Sequence, residues 1–372
     1  MSGKPLGSSS IASVETFLFS LQARAGVADS TRLVDRVGYV IVRVRTRSGE
    51  EGVGVTYNEV GGDAIKQLVT TSIAPMLVGT NPLATEDTLN RLLPHLRGVG
   101  RKGLTYCALS AVDMALWDLK AKLLGLPMAL LLGSERTVVD VYASGGWTSL
   151  DDGELVDEAC AMVDDGYSKI KIKVGVEAGS SPRHDLRRVA AVREAVGDDI
   201  VIMLDANNCW AAAVAAQFAN RAREYDIFFL EEPVIADDLP GLARFRAATD
   251  IPLATGEHEY SRFGARDLIT SGAVDVLQLD MTRAGGLTEM VKVASMAQAW
   301  NLPIAPHGMD VFHLPLVAAY PNSLFVEHLL IFEQVTEAVF LDPPRPVKGR
   351  MTVPDRPGFG LTLNEEVLRR TM

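Results

Sequence analysis

Cysteine is scarce in this chain. Cys107, Cys160 and Cys209 make three, an odd number without metal-ligand spacing. That argues against a disulfide framework and for reduced thiols in a cytoplasm. Long apolar runs are missing as well, so no segment reads as a membrane span. Residues Met1–Ser10 are rich in Ser and Gly, lack a hydrophobic signal core and read as frayed. There is no excess of positive charge. A net charge of −11 and an isoelectric point near 5.1 argue against nucleic acid or an anionic membrane as partner. An acidic protein that takes an anionic ligand must do so through a local cation, either a lysine or a metal. Short-period repeats and low-complexity tracts are also missing. What remains is 372 residues with 48% hydrophobic and 22% charged content, ordinary for a soluble globular protein of one large domain or two.

The most patterned stretch runs from Gly166 to Gly175. Lys169, Lys171 and Lys173 alternate with Ile170, Ile172 and Val174. That is the period of a strand, with the lysines on one face. Alone, the pattern suits an edge strand with a solvated lysine face equally well. The downstream sequence decides between the readings. Short apolar runs end in turn at Asp205, Glu231, Glu257, Asp280, His307 and Glu327. Successive spacings from Asp205 to His307 are 26, 26, 23 and 27 positions, about one strand–helix unit each. Helix-like segments fill the intervals at 211–224, 237–248, 262–270 and 287–300. Regular β/α alternation predicts a parallel barrel, and such barrels carry functional groups at the C-terminal ends of their strands.

The first third reads differently. Residues 14–21, 38–46 and 52–58 look like strands, with a turn at Arg47–Glu50. Residues 22–37 form a polar, irregular loop expected to be mobile, and residues 59–62 form a second loop. Helical pattern then runs from Asp63 to about Leu132, broken at 79–82 and 98–103. Tyr106–Leu124 reads as a long amphipathic helix ended by Gly125 and Pro127, with Asp113 and Trp117 as packing and capping groups. The barrel is expected to open at 138–143, and the Pro- and Gly-rich stretch from Leu341 to pack back on the N-terminal part.

With these motifs in order, the chain resembles the enolase superfamily in its mandelate racemase subgroup. The marks are Lys171-Ile172-Lys173, Asp205-Ala206-Asn207, Glu231-Glu232-Pro233, Gly256-Glu257, Asp280, His307 and Glu327, with the Asp-Met-Ala-Leu-Trp-Asp helix before them. The resemblance covers nearly the whole length. It implies an α/β fold, a modified (β/α)7β TIM-type barrel with an α+β N-terminal capping domain. The expected division is residues 1–135 for the cap, 136–335 for the barrel and 336–372 for a C-terminal segment returning to the cap.

The resemblance also implies chemistry. Asp205, Glu231 and Glu257 are expected to hold Mg2+, a hard cation suited to carboxylate oxygens. Without metal the three are expected to carry raised pKa values. Glu232 is expected to pair behind the barrel wall. Lys173 is the expected base on one face of the substrate, its pKa lowered by Lys171 and burial. His307, oriented by Asp280, is expected to act from the opposite side. Lys171 is expected to depress the pKa of Lys173 or touch the substrate carboxylate, and a protonated Glu327 to donate to that carboxylate. Asn207 and His258 are candidate substrate contacts, whereas His95, His184, His313 and His328 read as structural or surface groups. Lys169 has no assigned role.

The implied activity is removal of the proton α to a carboxylate. Dehydration of a sugar acid to a 2-keto-3-deoxy acid comes first, racemisation or epimerisation second, and cycloisomerisation is less favoured. A homo-oligomer is expected, as is specificity set by the loops at 22–37 and 58–62.

Overall fold

Alternating β-branched residues at the start of the chain make a meander. The computed structural model describes residues 9–24 and 26–369. The fraying expected of the first residues lies outside the described ones up to Ser8, while Ser10 is buried. Strands β1 (Ile11–Gln22), β2 (Arg36–Thr46) and β3 (Glu51–Tyr57) pair antiparallel in that order. Helices α1 (Gly62–Leu68), α2 (Ala74–Leu77), α3 (Thr85–Leu96), α4 (Leu104–Leu124) and α5 (Met128–Leu131) follow, with a π turn at Val69–Ile73 joining the first two.

Helix α4 departs from the amphipathic reading. Its buried residues, among them Ala108, Ala111, Val112, Asp113, Ala115, Leu116 and Asp118, lie on more than one face. It is wedged between the β-meander and the barrel, so it has little solvent side to keep polar. The approach to β3 is close enough to require glycine. A Cβ on Gly54 would lie 2.1 Å from the Ala111 carbonyl oxygen, and one on Gly52 would lie 2.1 Å from that of Ala115. On the barrel side, Asp113 accepts from the Thr288 amide at 2.9 Å and bonds its hydroxyl at 2.6 Å. Trp117 donates to the same hydroxyl at 2.7 Å. Both residues therefore pack and cap, as their sequence context suggests.

The barrel strands are β4 (Val138–Ser144), β5 (Lys169–Lys173), β6 (Val201–Asp205), β7 (Ile227–Glu231), β8 (Leu253–Thr255), β9 (Val276–Leu277) and β10 (Val326–Leu329). They pair parallel from β4 to β9, and β10 pairs parallel with β4. The gap between β9 and β10 is closed by parallel bridges from Ile304 to Leu277 and to Ser323, which makes Ile304 the seventh strand position. Helices α6 (Asp152–Asp164), α7 (Pro182–Val196), α8 (Ala212–Ala222), α9 (Leu239–Ala247), α10 (Ser261–Thr270), α11 (Gly286–Ala299) and α12 (Asp310–Ala319) alternate with them. This is the modified (β/α)7β barrel with an α+β cap.

After the barrel, β11 (Phe340–Leu341) pairs β13 (Thr362–Leu363), and β12 (Arg350–Thr352) pairs antiparallel with β4. The last stretch then reaches the cap. Gly358 exchanges backbone hydrogen bonds with Leu126 and Met128, and Asp118 accepts from the Phe359 amide. No helix among the described residues is long and apolar enough to cross a membrane.

Candidate active site

The barrel floor is apolar. Tyr142, Met203, Phe229, Ala254, Val276, Ala305 and Phe325 pack together inside it. Two residues further along a strand the same face is presented again. There Asp205 follows Met203, Glu231 follows Phe229, Gln278 follows Val276, His307 follows Ala305 and Glu327 follows Phe325. The alternation that builds the core thus stacks a polar layer on it, at the end where barrel sites lie.

Lys171 anchors that layer at 1% exposure. Its Nζ lies 2.5 Å from Glu231 Oε2, 2.7 Å from Glu327 Oε1 and 5.5 Å from the Tyr142 ring centre. Two carboxyls share one ammonium, so their protonation splits. Burial pushes Glu231 up to about 8 against the pull of Lys171. Glu327 is held down to about 2, because Lys171, His307 and the Gly308 amide outweigh its burial. These cationic neighbours disfavour the protonated form that a proton-donating Glu327 requires. Lys169, at the strand's opposite end, donates to Asp140 at 3.3 Å, away from this layer.

One pleat nearer the mouth, Lys173 Nζ lies 2.6 Å from Asp205 Oδ2 and 3.1 Å from Asn207 Oδ1, with the Trp147 ring 5.0 Å away. Burial lowers its pKa, but Asp205 outweighs both burial and Lys171, and the net shift is upward. This corrects the expected depression, which considered the neighbouring lysine and not the counter-ion on the next strand. Asn207 also donates to Asp205, through its amide side chain at 3.0 Å and its backbone at 2.9 Å.

His307 stands across the cavity, on the seventh strand. Nδ1 lies 3.0 Å from Asp280 Oδ2 and Nε2 lies 2.8 Å from Glu257 Oε2. Burial lowers the imidazole's pKa, but the two carboxylates lift it well above the ordinary histidine value. In return, and despite burial, His307 holds both Asp280 and Glu257 well below the usual carboxylate range, with help from Arg283. So of the carboxyls expected to be raised by mutual repulsion, Glu231 is raised mainly by burial, with its carboxylate neighbours adding to it, and Glu257 is lowered by its cationic surroundings.

Glu232 is also placed differently from expectation. Its backbone is left-handed (φ 40°) just past the strand end, and its buried carboxylate lies beside Glu257 and His258. It bonds His258 Nδ1 at 2.8 Å and Asn208 at 2.6 Å. Glu232, Glu257 and His258 offer ligand atoms within 4.8 Å of one another. Asp205 and Glu231, paired in register on β6 and β7, are drawn instead to Lys173 and Lys171. His313 and His328 are structural: His313 accepts from the Met281 amide, and His328 bonds Asp310. His184 pairs with Asp152 at 2.8 Å, and His95 is exposed on α3.

The cap roofs the mouth. Among the residues lining one cavity are Lys173, Asn207, Glu257 and His307 from the barrel, and Asp29, Arg32, Tyr57 and Glu59 from the cap. The segment between β1 and β2, read from sequence as a mobile loop, is pinned to the barrel. Ser30 donates to the Ala206 carbonyl at 2.6 Å, and Thr148 donates to the Ala28 and Asp29 carbonyls. Its place over the mouth agrees with a lid.

Matches to two family models cover most of the chain. Residues 11–133 match the mandelate racemase/muconate lactonizing enzyme N-terminal domain, and residues 154–367 match the enolase C-terminal domain-like family. The chain belongs to the enolase superfamily. It is 36% identical over 336 residues to the L-talarate/galactarate dehydratase of Salmonella typhimurium, covering 90% of this chain and 83% of that one. It is 35% identical over 353 residues to the L-rhamnonate dehydratase of Saccharopolyspora erythraea, covering 91% and 86%. A racemase from Streptomyces coelicolor A3(2), crystallised with bound magnesium, superposes with a TM-score of 0.92 at 30% identity, covering 97% of this chain and 99% of that one.

Several groups in this enolase-superfamily cavity escape sequence reading. Tyr57 donates to Asp280 Oδ2 at 2.8 Å. Arg283 lies over the Tyr57 ring at 4.5 Å and donates to the Glu257 carbonyl and carboxylate, both at 3.2 Å. The sequence signal for Arg283 is its place three residues past Asp280 on the same strand-end loop; Tyr57 and Trp147 carry no such signal.

Proposed function

We propose that this protein is a Mg2+-dependent dehydratase that removes the proton α to the carboxylate of a sugar acid and expels the β-hydroxyl as water, leaving a 2-keto-3-deoxy acid. The observation that carries the reading is the pairing of two proton carriers, Lys173 and His307, in one cavity beside a set of strand-end carboxylates. Racemisation or epimerisation is the second reading, because the same two groups could deliver a proton to either side of the α-carbon. The likeness to a racemase supports keeping it.

Asp205, Glu231 and Glu257 are the residues we assign to the metal. Their donors are all hard oxygens, and Glu231 Oε1 is buried without a protein partner, as a ligand atom awaiting a cation would be. The set containing His258 offers a softer nitrogen donor and suits Mg2+ less well. Bound there, Mg2+ would orient the substrate carboxylate and offset the charge that builds on it as the α-proton leaves.

The chain's own groups do the rest. One of Lys173 Nζ and His307 Nε2 accepts the α-proton, and the other delivers a proton to the departing β-oxygen, so that water leaves as the C–O bond breaks. The carboxylates beside them favour the protonated form of both, and the productive state has one proton fewer. Asp280 orients His307 and stabilises its imidazolium, as Asn207 does the Lys173 ammonium by accepting from it. Lys171 keeps the second carboxylate layer neutralised beneath the substrate. The cap excludes water from the cavity. We further read the protein as a cytoplasmic homo-oligomer, in keeping with the free thiols of Cys107, Cys160 and Cys209. Sedimentation yielding only a 40.1 kDa species would rule out the assembly.

The test is to incubate the protein and Mg2+ with a library of acid sugars and assay 2-keto acid release. Dehydration of at least one stereochemical series is expected. Inversion of the α-centre without 2-keto acid formation would favour the second reading.

A further inference from the structure

Resting on the dehydration reading, we propose that the substrate carries one carboxylate only, and that its far end is uncharged and bears hydroxyls. The selecting groups are Asp29 and Glu59 in the roof of the cavity. Asp29 comes from the segment between β1 and β2, and Glu59 from the loop after β3. Their side chains are 6% and 13% exposed, so neither charge is well solvated. A single guanidinium serves both. Arg32 Nη1 lies 2.5 Å from Glu59 Oε2, and Nε lies 3.3 Å from Asp29 Oδ2. The roof is thus one negative charge in excess.

The other guanidinium facing the cavity, Arg283, is attracted to Glu59 but bonds only Glu257, and it also faces Asp280 at 3.9 Å, so it is already committed to the barrel carboxylates. Part of the remaining wall is apolar, formed by Val34, Val37, Ile331 and Phe332, and offers no donor for an anion. With the reacting carboxylate held at the barrel end, a second one would project toward this roof. It would have to take Arg32 from Glu59, leaving a mostly buried carboxylate unpaired, or sit against both acids uncompensated. Either outcome is costly. Hydroxyls behave in the opposite way, because they donate to carboxylate oxygens. The roof therefore discriminates by repulsion as well as by attraction.

The test uses matched pairs of polyhydroxy acids that differ only in the oxidation of the last carbon, such as galactonate with galactarate and gluconate with glucarate, across the available configurations. Binding to the full chain with Mg2+ is measured by calorimetry, and turnover by 2-keto acid release. Wherever a pair binds, the monoacid is expected to bind at least about tenfold more tightly. Glu59→Gln, and separately Asp29→Asn, should shrink that ratio by improving the diacid. The asparagine keeps the oxygen that accepts from the Thr31 and Arg32 amides, so the loop turn is preserved. A diacid that outcompetes its monoacid, or a ratio untouched by both variants, overturns the inference and leaves dehydration standing. Selective monoacid binding without any keto acid release supports the inference and sinks the dehydration reading. Failure of every pair to bind removes both.

Discussion

Lys173 and Asp205 are each other's counter-ion, 2.6 Å apart. A proposed base and a proposed metal ligand thus neutralise one another, and Lys171 with Glu231 and His307 with Glu257 repeat the arrangement. The carboxylates have cationic partners before any metal arrives. Exhaustive chelation should therefore abolish turnover without unfolding the protein, and Mg2+ should restore it. Saturating Mg2+ at about a hundredfold over its Kd should add about 2.7 kcal/mol of stability, visible as a rise in Tm. Undiminished activity after chelation would refute the metal assignment, and loss of the folded state would refute the charge argument.

The oxygen of Asp280 that meets His307 also accepts from Tyr57. The carboxylate, more than the phenol, stabilises the imidazolium. Asp280→Asn should lower kcat by about 10²–10⁴-fold, the scale of a lost acid–base partner, with KM changing little. Tyr57→Phe removes the hydrogen bond to Asp280, worth about 1 kcal/mol, and the longer 3.4 Å contact with His307 Nδ1, and should cost less than about tenfold. Steady-state kinetics decide; a larger loss in Tyr57→Phe than in Asp280→Asn would invert the assignment.

Asp113 couples the cap to the barrel through Thr288 and does so at a cost that depends on pH. Burial, offset only partly by its hydrogen bonds to Thr288, raises its pKa from 3.8 to about 7. A carboxyl with a higher pKa folded than unfolded binds more protons when folded. Its contribution to stability is full below pH 3.8 and is lost as pH rises to about 7. Asp113→Asn cannot ionise. Relative to wild type, the variant should gain about 1–3 kcal/mol of stability between pH 5 and pH 8. Denaturant melts at the two pH values measure this, and an equal difference at both would show that Asp113 does not ionise within the range.

Much of this architecture is written in local pattern. The lysine–isoleucine alternation at 169–174 and the carboxylates ending successive apolar runs obey the two-residue period that also builds the barrel floor, so strand, face and layer can be read together. What is not local is which charge meets which. Lys173 and Asp205 are 32 positions apart, and only their register on β5 and β6 makes Asp205 outweigh the neighbouring Lys171. Tyr57 reaches Asp280 across 223 positions because the cap folds onto the mouth. The left-handed backbone of Glu232, beside Glu257 and His258, is one that a non-glycine residue does not advertise. The amphipathic reading of helix α4 fails because packing on two sides leaves no one-sided pattern, only an abundance of small residues.

The sharpest consequence concerns Lys173 and His307. They come from strands separated in the barrel by β4 and β10, and they face one cavity. If one takes the α-proton and the other protonates the leaving hydroxyl, their losses should differ in kind. Removing the base should stop both turnover and exchange of the α-proton with deuterated solvent. Removing the acid should stop turnover and leave exchange, because C–H cleavage does not need the leaving group to depart. Each loss should cost about 10²–10⁴-fold in kcat. Which residue plays which part follows from the α-carbon's configuration, since a given centre presents its hydrogen to one side only. The measurement is α-deuterium incorporation in Lys173→Ala and His307→Asn with the best substrate. Dehydration within a few-fold of wild type in both variants would show that neither group carries the chemistry, whatever the barrel around them. Exchange retained in both would mean that a third group takes the proton.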